Sequence, residues 1–259
     1  MTINDQSYYV AGGRTGVLLM HSLYGTPTEM RFVATGMARA GYTVYCPQLA
    51  GHGGSQADTK QSTWQDWYAS AEQALARLHK ECDVVIVGGL STGAVLALLL
   101  AAHHPDDVHG TALIAPTFGP NGRLAWYARL FDIIPNERIR DGVRSALLGG
   151  DGSAAVLEHS RLVGAARAEI GNIRQPALII HPRGDDHADL AHAWYLQRNL
   201  KGLVDMVVLD DSRHIVTADR QRNLAVERAI AFVGNIGKSV KATPARARDR
   251  VSMPACAAA

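Results

Sequence analysis

The sequence predicts an α/β fold with a mostly parallel, doubly wound sheet and helices on both faces. Short apolar runs rich in Val, Ile and Leu alternate with longer segments of helical pattern along most of the 259 residues. Strands that are apolar throughout are typical of parallel sheets covered on both faces, and short joints between strand and helix are typical of this alternation. A chain of this length commonly folds as one α/β domain.

The predicted elements follow one another in regular order. The strands are expected at residues 16–22, 42–47, 84–87, 111–116, 177–182 and 204–209. The helices are expected at about residues 27–39, 64–80, 94–102, 190–200 and 220–236. Capping signals support two of the helix starts. Thr26 precedes Pro27, with Glu29 in the position of a capping-box acid, and Thr63 or Ser62 precedes the second helix.

The alternation is interrupted between residues 117 and 172. This stretch contains aromatic and helical pieces, such as residues 124–131, and no convincing strand. We interpret it as an insertion of about three short helices above the sheet. The predicted organisation is one domain over residues 1–237, with its core at 1–116 and 173–237. A basic tail at 238–259 follows, and it is expected to be disordered.

Composition narrows the classes of function. Hydrophobic residues make up 47% of the chain and charged residues 19%, which is ample material for a buried core. The tail carries five basic residues against Asp249, so the rest of the chain is slightly acidic and a nucleic-acid groove is not expected there. Cys46, Cys82 and Cys256 are too few and too scattered for a disulfide framework. The sequence shows neither a signal-peptide pattern nor a membrane-span length, so we expect a soluble, cytoplasmic protein.

The chemistry centres on Gly89-Leu90-Ser91-Thr92-Gly93, a G-x-S-x-G sequence between a buried strand and an apolar helix. This strand–turn–helix context is the one that a nucleophile elbow requires. A turn this sharp strains the backbone of its central serine, and side chains at the two glycines would clash with the neighbouring backbone. The alternative interpretation is a glycine-rich turn with an incidental serine.

Two later loops offer partners for a serine nucleophile, which needs a base and a group that orients the base. Asp185 and Asp186 follow one predicted strand, and His214 follows the next. The order Ser, Asp, His along the chain is the one expected for this kind of site. The residues alone leave open which aspartate is the acid. Solvated turn aspartates and a surface-loop histidine are the alternatives.

Acyl-transfer chemistry also needs donors for the oxyanion. The backbone N–H of Thr92 is one candidate, and the second is expected from residues 21–23, after the strand that ends at Met20. No group of His, Cys and acidic residues has metal-ligand spacing in the sequence, so no metal is expected. The sequence also contains no G-x-G-x-x-G and no phosphate-binding loop, so no nucleotide cofactor is expected.

With these residues in place, the chain resembles the α/β-hydrolases, and within them the bacterial carboxylesterase and monoacylglycerol-lipase branch, also grouped with the serine aminopeptidase-like hydrolases. The resemblance covers about residues 16–236. It rests on five motifs that occur in order, at residues 21–27, 51–55, 89–93, 181–185 and 212–219. It implies an α/β-hydrolase fold with a helical cap at 117–172. It also implies that Asp185 is the acid of a triad with Ser91 and His214, and that Leu23 supplies the second oxyanion N–H.

Two positions depart from the family pattern. Ser22 stands where the oxyanion loop usually has glycine, and Pro182 replaces a usual glycine in the acid loop. Neither change removes a catalytic atom, but a serine at position 22 has a narrower range of backbone angles than the usual glycine, and these angles set the direction of the Leu23 N–H.

The resemblance implies hydrolysis of carboxylic esters, with short- to medium-chain acyl or monoacylglycerol-like substrates, through an acyl-enzyme on Ser91. A small-molecule acyl ester is the expected partner, and stable membrane insertion is not expected. A thioesterase or an acyltransferase would use the same triad, and a non-catalytic binding protein could share the fold. An association of the basic tail with anionic lipid is a further alternative. Aromatic and aliphatic residues of the insertion are candidates either for an acyl pocket or for ordinary packing, namely Trp126, Tyr127, Leu130 and Phe131.

Overall fold

The computed structural model describes residues 5–53, 61–119, 136 and 153–242. In these residues the strands form one sheet with the order β1-β3-β2-β4-β5-β6-β7. The strands are β1 (Tyr8–Val10), β2 (Gly13–Met20), β3 (Tyr42–Cys46), β4 (Val84–Leu90), β5 (Gly110–Ile114), β6 (Ala177–Pro182) and β7 (Val204–Leu209). All neighbouring strands are parallel except the edge strand β1, which pairs antiparallel with β3. The α/β fold with a mostly parallel sheet is therefore confirmed.

The helices of the described residues are α1 (Arg31–Arg39), α2 (Trp64–Glu81), α3 (Thr92–His103), α4 (Ser153–Glu169), α5 (Leu190–Asn199) and α6 (Arg222–Ala242). Single 3₁₀ turns lie at Pro27–Met30, Ile170–Asn172 and Val216–Ala218. The capping box at the start of α2 uses Thr63, whose side chain accepts from the Asp66 N–H while the Asp66 carboxylate accepts from the Thr63 N–H. Of the two predicted candidates, Thr63 and Ser62, the N-cap of α2 is therefore Thr63.

The strand order explains where a ligand would bind. The chain goes from β2 to β3 on one side and then crosses to β4 on the other side of β2. In doubly wound sheets a crevice opens at such a reversal, beyond the carboxyl ends of the two strands concerned. The loop after Met20 and the turn at Ser91 lie at the ends of these two strands, β2 and β4.

Helices cover both faces of the sheet. On one face, α1 and α6 pack over β2, β3 and β4 through buried aliphatic side chains. On the other face, α2, α3 and α5 form the larger core. Every residue from Thr92 to Ala101 in α3 is buried, because α4 of the insertion covers the side of α3 that faces away from the sheet. This burial explains why α3 carries apolar residues on every side.

Two differences from the sequence prediction concern the ends of the chain. Strand β1 was not predicted, because three half-buried residues at a sheet edge show no clear period. The closing helix was expected to end near residue 236, but α6 continues to Ala242. The first residues of the predicted tail are therefore helical, since Val240 still packs against the core. The remainder of the tail, residues 243–259, lies outside the described residues.

The insertion is described only in part. Residues 153–172 form α4 and a 3₁₀ turn, and Leu162, Val163 and Ala166 of α4 join the core around α3. The predicted helical piece at 124–131, with the four candidate pocket residues, lies outside the described residues. In the described part of the chain, no helix has the length and apolarity needed to cross a membrane.

Candidate active site

Ser91 lies on a sharp turn between β4 and α3. Its backbone has φ 55°, a left-handed conformation that is rare for serine, and its N–H donates to the Ile114 carbonyl (2.9 Å). A Cβ atom at Gly89 or at Gly93 would overlap the backbone carbonyl of Met20. The two glycines are therefore needed for the close approach of β2, and the strained serine has the geometry of a nucleophile elbow.

The side chain of Ser91 faces a cavity of about 400 Å³. His214, Leu23, Thr92 and Thr117 line the same cavity. In this structure the Ser91 hydroxyl is hydrogen-bonded to the Thr117 hydroxyl (Oγ–Oγ1 2.8 Å). Sequence reasoning did not single out Thr117, although its place just after β5 puts it at the same edge of the sheet.

Asp185 is the carboxylate that binds His214. Its two oxygens lie 2.9 and 2.8 Å from His214 Nδ1, and the Asp185 side chain is fully buried. Oδ1 also accepts from the backbone N–H groups of His187 and Ala188, each at 2.8 Å. Burial acts to raise the pKa of Asp185, but these hydrogen bonds together lower it below its usual value. The charged carboxylate therefore holds the N–H of His214 at Nδ1 and leaves the lone pair at Nε2.

The neighbouring Asp186 binds a different histidine. Its carboxylate lies 3.0 Å from Nδ1 of the exposed His187. The His187 ring in turn stacks on the His214 ring, with ring centroids 4.9 Å apart. His187 was not among the predicted site residues, because the motif that indicated Asp185 covers only residues 181–185.

The sequence shows no metal-ligand spacing, but the fold brings three residues with ligand-type atoms close together. Ligand-type atoms of Asp185, His187 and His214 lie within 4.8 Å of one another, a grouping that can be compared with a metal centre. The lone pairs of imidazole nitrogens lie in the ring planes. The two stacked rings are inclined by only 26°, so their lone pairs run side by side rather than converge. The grouping fits a hydrogen-bonded acid–histidine pair better than a metal site.

Leu23, in the loop after β2, lines the cavity. Its N–H belongs to the Ser22–Leu23 peptide, whose carbonyl accepts from His21 Nδ1 (2.9 Å) and from the Gly25 N–H (3.1 Å). Because the two ends of a peptide point in opposite directions, fixing the carbonyl also fixes the N–H. His21 is fully buried and accepts the Leu49 N–H at Nε2. Burial lowers the pKa of His21 to about 3, so the neutral ring holds the loop.

Glu29 binds Ser22, the residue that departs from the family pattern. The Glu29 carboxylate accepts from the Ser22 N–H (3.0 Å) and from the Ser22 hydroxyl (3.1 Å). The prediction that Glu29 acts as a capping-box acid is therefore wrong. Thr26 does cap the turn at Pro27–Met30, through the Thr28 N–H, but the Glu29 side chain turns back towards the loop after β2. This contact explains how a serine is accommodated at position 22.

Two further motif histidines hold loops in place. His52 contacts two backbone carbonyls, that of Leu23 with Nε2 and that of Ala50 with Nδ1 (2.9 Å), and burial lowers the pKa of His52. His181, fully buried at the end of β6, donates from Nε2 to the Ala188 carbonyl (2.8 Å). That bond closes the loop that carries Asp185. The motif positions were visible in the sequence, but their hydrogen-bonding partners were not.

Comparisons with known proteins identify the family of the chain. The sequence profile described as "Alpha/beta hydrolase family" matches residues 14–227. The chain is 32% identical over 237 residues to the thermostable monoacylglycerol lipase of Bacillus sp. (strain H-257), covering 88% of this chain and 93% of the lipase. It is 22% identical over 242 residues to the carboxylesterase of Bacillus subtilis (strain 168), covering 89% and 97% of the two chains.

A solved structure from a study of LipS and LipT, described as metagenome-derived lipolytic enzymes, superimposes with a TM-score of 0.76 at 28% identity. The superposition covers 88% of this chain and 97% of that one. The family match extends over most of the chain, and the similar proteins are named as esterases and lipases. The chain belongs to the alpha/beta hydrolase family, as a hydrolase of the esterase and monoacylglycerol-lipase type.

Proposed function

We propose that the protein hydrolyses carboxylic esters, with Ser91 as nucleophile, His214 as general base and acid, and Asp185 as the orienting acid. The observation that carries this proposal is the Asp185–His214 pair. With Nδ1 committed to a buried carboxylate, Nε2 of His214 is left to exchange a proton at the cavity that Ser91 shares.

The first half of the reaction forms an acyl-enzyme. The Ser91 hydroxyl leaves Thr117 by rotation about its Cα–Cβ bond and attacks the ester carbonyl, while His214 takes its proton. The backbone N–H groups of Leu23 and Thr92 donate to the oxyanion. Both groups are free to do so, because no group in the described part of the chain accepts from either of them. The tetrahedral intermediate then expels the alcohol, which takes the proton from His214.

Water completes the reaction. It attacks the acyl group on Ser91, its proton passes to His214, and the carboxylic acid leaves as Ser91 recovers its proton. The lining of the cavity supports the substrate class. Apolar side chains of Leu23, Val156 and Ile215 line it, which suits an acyl chain. The names of the similar proteins, a monoacylglycerol lipase and a carboxylesterase, favour monoacylglycerols and other carboxylic esters, and we propose short- to medium-chain acyl groups among them.

The test combines labelling with turnover. We expect a fluorophosphonate probe to label Ser91 stoichiometrically, as located by mass spectrometry, and labelling to be lost in Ser91→Ala and His214→Ala. Turnover is measured on 4-nitrophenyl esters from acetate to laurate, on monoacylglycerols and on one matched thioester. Ser239→Ala, which removes a serine hydroxyl that donates to the Asn235 carbonyl in α6, is the control. Ester hydrolysis that persists in Ser91→Ala, or turnover of the thioester alone, would contradict the proposal.

A further inference from the structure

His159 is a buried histidine of the insertion helix α4 that the proposed reaction does not use. Its Nδ1 lies 3.0 Å from the Thr92 hydroxyl, and the ring is also hydrogen-bonded to the Thr117 backbone. Burial lowers the pKa of His159 to about 4, although the bond to Thr117 acts in the opposite direction. The ring is therefore neutral at neutral pH.

Both partners of His159 are immediate neighbours of the nucleophile. Thr92 follows Ser91 in the chain, and its N–H is one of the two proposed oxyanion donors. Thr117 is the residue whose hydroxyl lies 2.8 Å from the Ser91 hydroxyl. The insertion helix is therefore connected to Ser91 twice through the His159 side chain, once by way of Thr92 and once by way of Thr117.

The hydrogen-bond directions follow from the neutral ring. A neutral imidazole has one N–H and one lone pair. A backbone carbonyl can only accept, so the ring donates to Thr117 and accepts the Thr92 hydroxyl at Nδ1. An aliphatic residue of similar volume would fill the space but would leave both partners without these bonds.

The two segments that His159 joins are the strained ones. Among the described residues other than glycine, only Ser91 and Ala115 have positive φ values, 55° and 43°. Ala115 lies two residues before Thr117. Such conformations are unfavourable for residues other than glycine and persist only where the surrounding structure holds them. His159 connects the segment after Ser91 with the segment after Ala115.

We propose that His159 is a positioning residue of the active site, which fixes the Thr92 and Thr117 segments relative to each other around Ser91. The inference rests on the proposed ester hydrolysis, and His159 acts through its two partners without touching the reacting atoms. The insertion helix then has a role beyond covering the cavity, because its placement determines how the nucleophile turn is held.

The main test compares two substitutions at one position. In His159→Leu we expect kcat to fall by about 10- to 100-fold with KM nearly unchanged, because a displacement of about 1 Å in a reacting group costs on the order of 100-fold. In His159→Asn the amide oxygen can still accept the Thr92 hydroxyl, so most of the lost kcat should return. A wild-type kcat in His159→Leu would overturn the proposal.

A double-mutant cycle tests the route through Thr92. Thr92→Val removes the hydroxyl and keeps the backbone N–H. We expect it to lower kcat on its own and to add no further loss in the His159→Leu background, since coupled residues are not additive. Fully additive losses would exclude this route. If His159→Leu fails to fold, the His159→Asn and Thr92→Val variants carry the test.

The control is another contact of the same helix with the same loop. Arg167 donates to the Phe118 carbonyl (3.4 Å) and lies over the Tyr195 ring. We expect Arg167→Gln to keep kcat within about twofold, because none of its partners among the described residues is Ser91, Thr92 or Thr117 and a cation–π contact contributes little outside a fully desolvated site. A loss equal to that of His159→Leu would mean that any disturbance of α4 suffices, and the specific role would be rejected.

A measurement independent of turnover separates this inference from the proposed function. Hydrogen–deuterium exchange of the peptide around residues 89–96 is compared in wild type, His159→Leu and Arg167→Gln. We expect faster exchange in His159→Leu alone. If wild type neither hydrolyses esters nor reacts with the fluorophosphonate, the proposed function fails, and the exchange result still decides whether His159 holds the turn. Unchanged exchange in His159→Leu would overturn the positioning role.

Discussion

Asp185 and Asp186 are adjacent in the chain, yet the first binds the buried His214 and the second binds the exposed His187. Successive side chains of the loop point in different directions, so one aspartate turns into the protein and the other turns to solvent. The pair therefore offers a matched experiment in which the same chemical change is made one residue apart.

We expect Asp185→Asn to lower kcat by on the order of 10⁴-fold, because an amide in place of the buried carboxylate favours the wrong tautomer of His214. Asp186→Asn should change kcat by less than about fivefold, since an exposed ion pair contributes little. Steady-state kinetics on one 4-nitrophenyl ester measure both. Equal losses in the two variants would show that the acid has not been identified correctly.

The contact between Glu29 and Ser22 predicts a second effect on catalysis. Glu29→Leu removes both acceptors of Ser22, and hydrogen bonds to a charged group contribute about 1.5–3 kcal/mol. If the bonds hold the oxyanion loop, kcat should fall by about 10- to 100-fold. Glu29→Gln keeps one acceptor and should lose less.

The control for Glu29 lies in the same 3₁₀ turn. Thr26→Ala removes the cap of that turn and should lower stability by about 1 kcal/mol with kcat nearly unchanged. Measurements of kcat and of thermal unfolding for Glu29→Leu, Glu29→Gln and Thr26→Ala distinguish an effect on loop geometry from an effect on stability. A Glu29→Leu variant with full kcat and reduced stability would assign Glu29 a purely structural role.

Alanine substitutions at Gly93 and at Gly164 should have opposite effects on stability. Gly93→Ala places a Cβ atom against the Met20 carbonyl, so we expect a loss of several kcal/mol or failure to fold. A Cβ atom added at Gly164, in the middle of α4, would have no atom of the described residues within 4 Å other than those of its chain neighbours and its own helix backbone. Gly164→Ala should therefore raise the free energy of unfolding by up to about 1 kcal/mol through helix propensity. Urea unfolding measures both changes, and a destabilising Gly164→Ala would contradict the packing of α4.

The buried neutral histidines predict an acid-sensitive stability. The folded pKa is about 3 for His21 and about 4 for His159, whereas an unfolded histidine has a pKa of about 6.5. Between these values the unfolded chain binds more protons than the folded chain. Stability should therefore fall as the pH is lowered from about 6.5 towards 4, by up to about 1.4 kcal/mol per pH unit for each histidine.

Urea unfolding at a series of pH values measures this slope. His159→Asn removes one titrating group. The dependence of the free energy of unfolding on pH should therefore lose the contribution of one histidine, up to about 1.4 kcal/mol per pH unit. Thr92→Val keeps the buried ring and should retain most of the slope. A wild-type stability that stays constant from pH 6.5 to 4.5 would show that these rings are already charged in the folded state, contrary to their burial.

Much of the architecture was predictable because it depends on local periodicity. The strands at 177–182 and 204–209 have the predicted bounds, since apolar runs bounded by turn residues report burial directly. Edge strand β1 and the last turn of α6 were missed, because edges and helix ends carry weaker patterns. The Ser91 turn was predictable from its two glycines, which a close backbone approach requires.

The sequence by itself determined which loops meet, because the carboxyl ends of parallel strands lie at one edge of the sheet and Ser91, Asp185 and His214 follow such ends. The family resemblance already pointed to Asp185 rather than Asp186, and the structure shows that Asp185 binds His214. Tertiary structure alone decided that Glu29 turns to Ser22 instead of capping its own turn, and that His159 reaches Thr92 from 67 residues away. These contacts depend on side-chain directions and on the packing of separate elements. A sequence pattern reports only the period of its own segment.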